Sequence, residues 1–473
     1  MAAPTQLRRA AFRRSIGFAL QRDTATDRTL KRTLGRFDLV AMGVGAIVGA
    51  GIFVTTGVAA ATKAGPAIML SFVLAGVICV LVALCYSELA AMTPISGSAY
   101  TYTRATLGES PAFLVGWNLL LEYAVAGAAV AIGWSGLFTA MLDSLFGVTL
   151  PPEITSGPAD GGVINLPALL VTAAIIGVLI FDVKLTAAVV KTLVAVTITV
   201  LMVVIVIGAP HISTTNWTPF MPFGVNGIAA GAALAFFAYL GFDIVATSAE
   251  ETRNPARDLP WGIIGSVVLA TGLYVAVSAV LTGVAPYPTL NNAAPVATAL
   301  AAIGAGWIGK VILVASVIAL TKGLLMLCYG QTRLIFAMSR DGLLPRALCR
   351  TSHRGAPVRL SLLLGAGIAV VAALLPIGTV AELVNIGALF AFVVVALGVV
   401  ILRRTDPDRS RPFRVPLMPL VPIAAIAGCI WLATTFESLT WVRFAVWSAL
   451  GAAVYFGYGR RHSLAPTQEG AAA

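Results

Sequence analysis

Hydrophobic residues run through this chain in long blocks, and most charges are confined between them. Blocks long enough to cross a bilayer, at about 20 residues each, fall near 37–61, 66–91, 112–141, 166–182, 185–208, 227–249, 261–284, 307–332, 358–375, 380–402, 415–436 and 442–458. The pattern predicts an all-α membrane protein with twelve transmembrane helices. Residues 1–35 are polar, basic and aperiodic and read as a cytoplasmic tail that can lie on the membrane surface; residues 459–473 read as a second tail. The N-terminus lacks the apolar region and small-residue cleavage site of a signal peptide.

Two blocks are written against their own helicity. The first contains Gly43-Val44-Gly45-Ala46-Ile47-Val48-Gly49-Ala50-Gly51-Ile52-Phe53, about where a span crosses the midplane. Each glycine costs a helix interior about 1 kcal/mol relative to alanine, so four in nine residues predict an interruption. Backbone opened at that depth must face a cavity, because lipid offers no replacement hydrogen bonds. Close helix packing is the competing reading, since small residues four apart, here Gly45 and Gly49, serve it too. A second break in a matching place favours the site over the seam. The sixth block supplies one in Phe236-Phe237-Ala238-Tyr239-Leu240-Gly241-Phe242-Asp243. Spans one to five (36–208) and six to ten (226–403) then each begin with a broken helix, the pattern of an inverted five-plus-five repeat; spans eleven and twelve (415–458) stand outside it.

Four charged residues lie six or more residues from the nearer end of a block. Glu122 is about ten residues from the inner end of the third, near mid-bilayer at 1.5 Å per residue, and Asp243 follows the second break. An intramembrane carboxylate costs about 2.5–3.5 kcal/mol on insertion scales, so both are expected to face protein or water. Lys191 is close enough to the inner interface to snorkel there. Lys322, beside Thr321 in the eighth block, is not, and is a functional candidate; its rival role is a structural salt bridge to Glu122 or Asp243. Glu88-Leu89-Ala90 and Pro94-Ile95-Ser96-Gly97-Ser98-Ala99-Tyr100-Thr101-Tyr102 read as an inner loop, or a short helix lying where a gate would close.

Composition agrees: 59% of the residues are hydrophobic and 11% charged, against about a quarter charged in soluble domains. A net charge of +11 invites a nucleic-acid reading until the positions are read. With the N-terminus inside, 26 of the 31 Lys and Arg fall on the cytoplasmic side, and only Lys63, Lys310 and Arg443 lie outside. That asymmetry is the positive-inside rule, which places both termini in the cytoplasm and leaves contact with anionic membrane lipid as a side effect. The five cysteines have no metal or disulfide spacing, and His211, His353 and His462 all fall in loops or tails. No metal, cofactor or nucleic-acid partner is expected.

Gly-Ala-Ile-Val-Gly-Ala-Gly-Ile-Phe-Val at 45–54, Pro-Ile-Ser-Gly-Ser-Ala-Tyr-Thr-Tyr at 94–102, Asn-Trp-Thr-Pro-Phe at 216–220, the stretch 236–243, Glu-Glu-Thr-Arg-Asn-Pro-Ala-Arg-Asp-Leu-Pro at 250–260 and Tyr-Gly-Gln-Thr-Arg at 329–333 together resemble the amino acid-polyamine-organocation superfamily. Within it the chain is most similar to the bacterial branch of the cationic amino acid transporters. The resemblance implies a leucine-transporter-type fold in the cytoplasmic membrane. It implies a substrate carboxylate on backbone amides around Ile47, Gly49, Ala50 and Gly51, at the positive end of a half-helix. The substrate amino group would meet carbonyls of Phe237, Ala238 and Leu240. Ala50 departs from relatives that carry Thr or Ser there and so lacks a hydroxyl contact. Bacterial relatives also place a lysine in the fifth span at the position of Thr197, and a Thr where this chain has Lys322. The two look exchanged, which would put the ammonium of Lys322 on carbonyls near Gly45 and Ala46, as sodium does in sodium-coupled cousins.

The expected function is secondary active transport of L-amino acids by alternating access, coupled to protons. An exchanger or antiporter is the alternative in the same class, and a transporter-like sensor without net flux is the rival from another. A small accessory membrane subunit is left open. A membrane-embedded enzyme is disfavoured because no nucleophile or metal constellation is present.

Overall fold

A computed structural model describes residues 34–93, 98–180, 187–349 and 358–463, without the side chains of 187–191, 250, 377–379 and 381. The expectations for residues 1–33 and 464–473, for Pro94 to Gly97, and for the side chain of Lys191 lie outside the described residues. The longest helices are α1 Arg36–Ile47, α2 Ile68–Met92, α3 Ser98–Leu107, α4 Glu109–Phe146, α5 Leu166–Ile180, α6 Ala187–Gly208, α7 Gly224–Ala235, α8 Pro255–Val284, α9 Gly306–Arg340, α10 Val358–Leu374, α11 Ile377–Thr405, α12 Leu420–Ala433 and α13 Ser438–Val454. Eight helical stretches among the described residues are long and apolar enough to cross a membrane, and Leu166–Ile180, Val358–Leu374 and Leu420–Ala433 are shorter apolar helices. Helix α4, at 38 residues, runs about 57 Å at 1.5 Å per residue, so its ends must project well beyond a hydrocarbon layer about 30 Å thick.

The interior is organised around two interrupted elements. α1 lies against α6 and α8, and the turn that follows α7 packs on α2 and on the Gly51–Thr55 segment. α4 packs along α9 and α11. One sequence expectation needs correcting. Glu88-Leu89-Ala90 is not loop: it belongs to the end of α2, because the apolar pattern continues to Met92 and Thr93 closes the helix. The helix of the twelfth block continues through a π-helical turn at Tyr455–Gly459 to His462.

Buried ionic and aromatic contacts clamp the bundle away from these breaks. Arg403 of α11 donates two hydrogen bonds to Glu88, 2.8 and 2.7 Å long, the Val415 amide adds a third at 2.7 Å, and the Arg411 guanidinium stands 3.4 Å away. Trp117 of α4 and Trp447 of α13 stack at 4.7 Å, and each indole donates to the other's carbonyl. Asn216 and Trp217 of the 216–220 motif donate to the Gly283 carbonyl and the Thr282 hydroxyl at the end of α8.

Candidate functional site

The first break opens immediately after Ile47. Val48 is extended (ψ 104°), although its amide still reaches the Val44 carbonyl at 2.8 Å. A π-helical turn resumes at Gly51–Thr55, where the Thr55 and Thr56 hydroxyls both donate to the Gly51 carbonyl at 2.7 and 3.0 Å. The first amides of a restarted helix have no carbonyl upstream to accept them, and here they belong to the stretch from Gly49 to Ile52. Gly49 is buried, yet a side chain built on it would meet nothing within 4 Å. Space therefore lies enclosed beside these amides.

The second break faces the first directly. α7 ends at Ala235, a tight turn carries Phe236–Tyr239, Leu240 is extended, and Gly241 takes φ +109°, which a residue with a side chain adopts only under strain. Gly51 presses on Ala238 so closely that a Cβ on Gly51 would come 2.3 Å from Ala238 Cβ and 2.4 Å from its Cα. Gly241 in turn sits on Ala46. Glycine is required at these two positions because backbone meets backbone. One hydroxyl ties the breaks together: Tyr274 Oη of α8 stands 3.0 Å from the Ile47 carbonyl and 2.8 Å from that of Ala238.

Lys322 is 3% exposed, and its Nζ lies 3.8 Å from where a Gly45 Cβ would be. That Nζ has no hydrogen-bond partner among the described residues. The bonds expected to Gly45 and Ala46 are not made in this structure, and neither is the rival ion pair to Glu122 or Asp243. Val194, one turn from Thr197 on α6, packs on Gly45, so Thr197 belongs to the same neighbourhood; its hydroxyl donates to the Leu193 carbonyl at 2.8 Å. Thr321 instead faces α4, accepting from the Trp134 indole at 2.9 Å.

The two carboxylates are fully enclosed. Asp243 Oδ2 accepts from Tyr123 at 2.7 Å and from Ser98 at 3.2 Å, while Asp243 Oδ1 and Glu122 Oε2 have no partner among the described residues. Beside them the Tyr86 ring meets Phe242 at 5.6 Å and Tyr102 at 6.2 Å, and both tyrosine hydroxyls are unpartnered among the described residues. Tyr274, Tyr123 and Ser98 are contributors that sequence reasoning does not assign. For the two tyrosines a signal exists: a buried Tyr usually finds a hydrogen-bond partner for its hydroxyl. Which carbonyl or carboxylate it finds is not written locally.

Two backbone breaks that face each other inside an all-helical membrane protein define the class of membrane carriers. The amino acid permease family model matches residues 34–458. The chain belongs to that family, within the amino acid-polyamine-organocation superfamily, whose members are transporters and not enzymes. Curated relatives include a methylthioribose transporter of Bacillus subtilis, 44% identical over 92% of this chain and 95% of its own length. A branched-chain amino acid permease of the same organism is 44% identical over 93% and 96%. A vacuolar cationic amino acid transporter of Arabidopsis thaliana is 38% identical over 80% and 64%.

Proposed function

We propose that the chain carries L-amino acids across the cytoplasmic membrane by alternating access, drawing on the proton gradient. The observation that carries this reading is the enclosed space at Gly49, bordered by helix-start amides and set against the Ala238 break. Amides of Ile47, Gly49, Ala50 and Gly51 would receive the carboxylate, because a half-helix N-terminus is a ready anion site. Carbonyls of Phe237, Ala238 and Leu240 would receive the ammonium. Asp243 and Glu122 would bound the side-chain end. Two arms of five spans, 36–208 and 226–403, would rock about this centre, with 415–458 outside and both termini cytoplasmic; the eight long stretches, the three shorter apolar helices and the interrupted α1 support a count of twelve. For coupling, the ammonium of Lys322, unpartnered among the described residues, would bind carbonyls near Gly45 and Ala46 in one state and lose its proton in the other, with Thr197 lining its surroundings. Substrate, protons and lipid are the partners this requires; an exchanger without net accumulation, and a sensor without flux, are the outcomes that transport assays separate from it.

The methylthioribose transporter among the relatives favours a second reading, a neutral sugar thioether, which has neither carboxylate nor ammonium. Uptake into proteoliposomes under an imposed pH gradient, competed with each of the twenty amino acids and with methylthioribose, tests both. Competition by amino acids with accumulation that collapses with the gradient supports the proposal; competition by methylthioribose alone overturns it.

A further inference from the structure

We infer that Tyr274 is a positioning residue that sets the ammonium-facing carbonyl of the substrate site. This deepens the proposed reading and rests on Ala238 accepting the substrate amino group. The Ile47 and Ala238 carbonyls both belong to helix ends, where unsatisfied carbonyls gather partial negative charge. Bringing two such groups together is repulsive unless a donor stands between them. Here that donor is a neutral phenol on a third helix, within 3.0 Å of one oxygen and 2.8 Å of the other.

The hydroxyl is held with little freedom. Its ring packs on Phe72 at 5.3 Å and on Tyr239 at 5.4 Å. Tyr274 is wholly buried, so water does not compete for the proton. A carbonyl oxygen has two lone pairs; with one taken by Tyr274, the other remains for a second donor. The phenol thereby fixes the direction of the Ala238 carbonyl and the separation of the breaks without contacting substrate.

The test uses the full chain in proteoliposomes, with L-leucine and 4-methylpentanoic acid as probes. They share side chain and carboxylate and differ in the amino group alone. The ratio of their inhibition constants reports how well the ammonium is received. Tyr274→Phe keeps every ring contact and should lower that ratio about 3- to 10-fold, the loss expected when a single neutral hydrogen bond stops directing an acceptor. Tyr239→Phe removes the neighbouring hydroxyl, which serves packing, and should leave the ratio where it was. A wild-type protein that does not prefer L-leucine overturns the ammonium reading of Ala238 and this role with it. A wild-type preference that Tyr274→Phe leaves intact, or that Tyr239→Phe lowers equally, overturns the role of Tyr274 alone. A Tyr274→Phe protein that is not monodisperse in detergent also overturns it, since the hydroxyl would then hold the fold and not the site.

Discussion

A single methyl group added at Gly51 is the most direct probe of the paired breaks. The new Cβ would stand 2.3 Å from Ala238 Cβ and 2.4 Å from its Cα, where ordinary van der Waals separation begins near 3.4 Å. Relief therefore requires the two breaks to separate by about 1 Å, and the opposing atoms are a methyl and a main-chain carbon with no rotamer to escape into. Overpacking of this kind costs about 1–3 kcal/mol. If it is relieved by opening the site, affinity falls by a factor of roughly 5 to 150. Gly51→Ala should therefore raise KM for L-leucine uptake into that range while the protein still reaches the membrane and melts cooperatively. Gly51→Leu should abolish binding. Gly51→Ala with Ala238→Gly should recover only part of the loss, because removing the methyl leaves the main-chain carbon of residue 238 in the way. Saturation kinetics in proteoliposomes together with a detergent thermal melt make the measurement. Wild-type KM for Gly51→Ala would refute the reasoning, as would a loss of affinity matched by a collapse of the melt.

Lys322→Met should retain folding and exchange but lose accumulation driven by a pH gradient, and Thr197→Lys with Lys322→Thr should restore part of it; gradient-driven accumulation by Lys322→Met, or a sodium requirement in the wild type, counts against the coupling role. Asp243→Asn should alter the rank order of competing amino acids more than Glu122→Gln does, and an unchanged order would leave Asp243 as a structural partner of Tyr123 and Ser98. Glu88→Ala removes the carboxylate facing Arg411, 2% exposed, and Arg403, 23% exposed, though Arg411 keeps its backbone carbonyl acceptors; the expected loss is about 3 kcal/mol, read as a lowered melting midpoint, with Glu88→Gln losing less because it still accepts from Val415.

The helical blocks, the positions of both breaks and the burial of Glu122, Asp243 and Lys322 are legible in the order of residues. Each follows from a cost that is local to one span: glycines in a helix, or a charge in hydrocarbon, are unfavourable wherever that helix packs. The extension of α2 through Glu88 reads as loop because a glutamate resembles an ending, and only the arrival of Arg403, 315 residues later in the chain, makes a carboxylate tolerable inside that turn. Tertiary structure alone decided that Gly51 meets Ala238, that Tyr123 and Ser98 occupy Asp243, and that Tyr274 bridges Ile47 and Ala238. Most of these are choices among partners far apart in the chain, and hydrogen-bond satisfaction requires that a partner exist without saying which one it is. The packing of the helices against one another makes that selection.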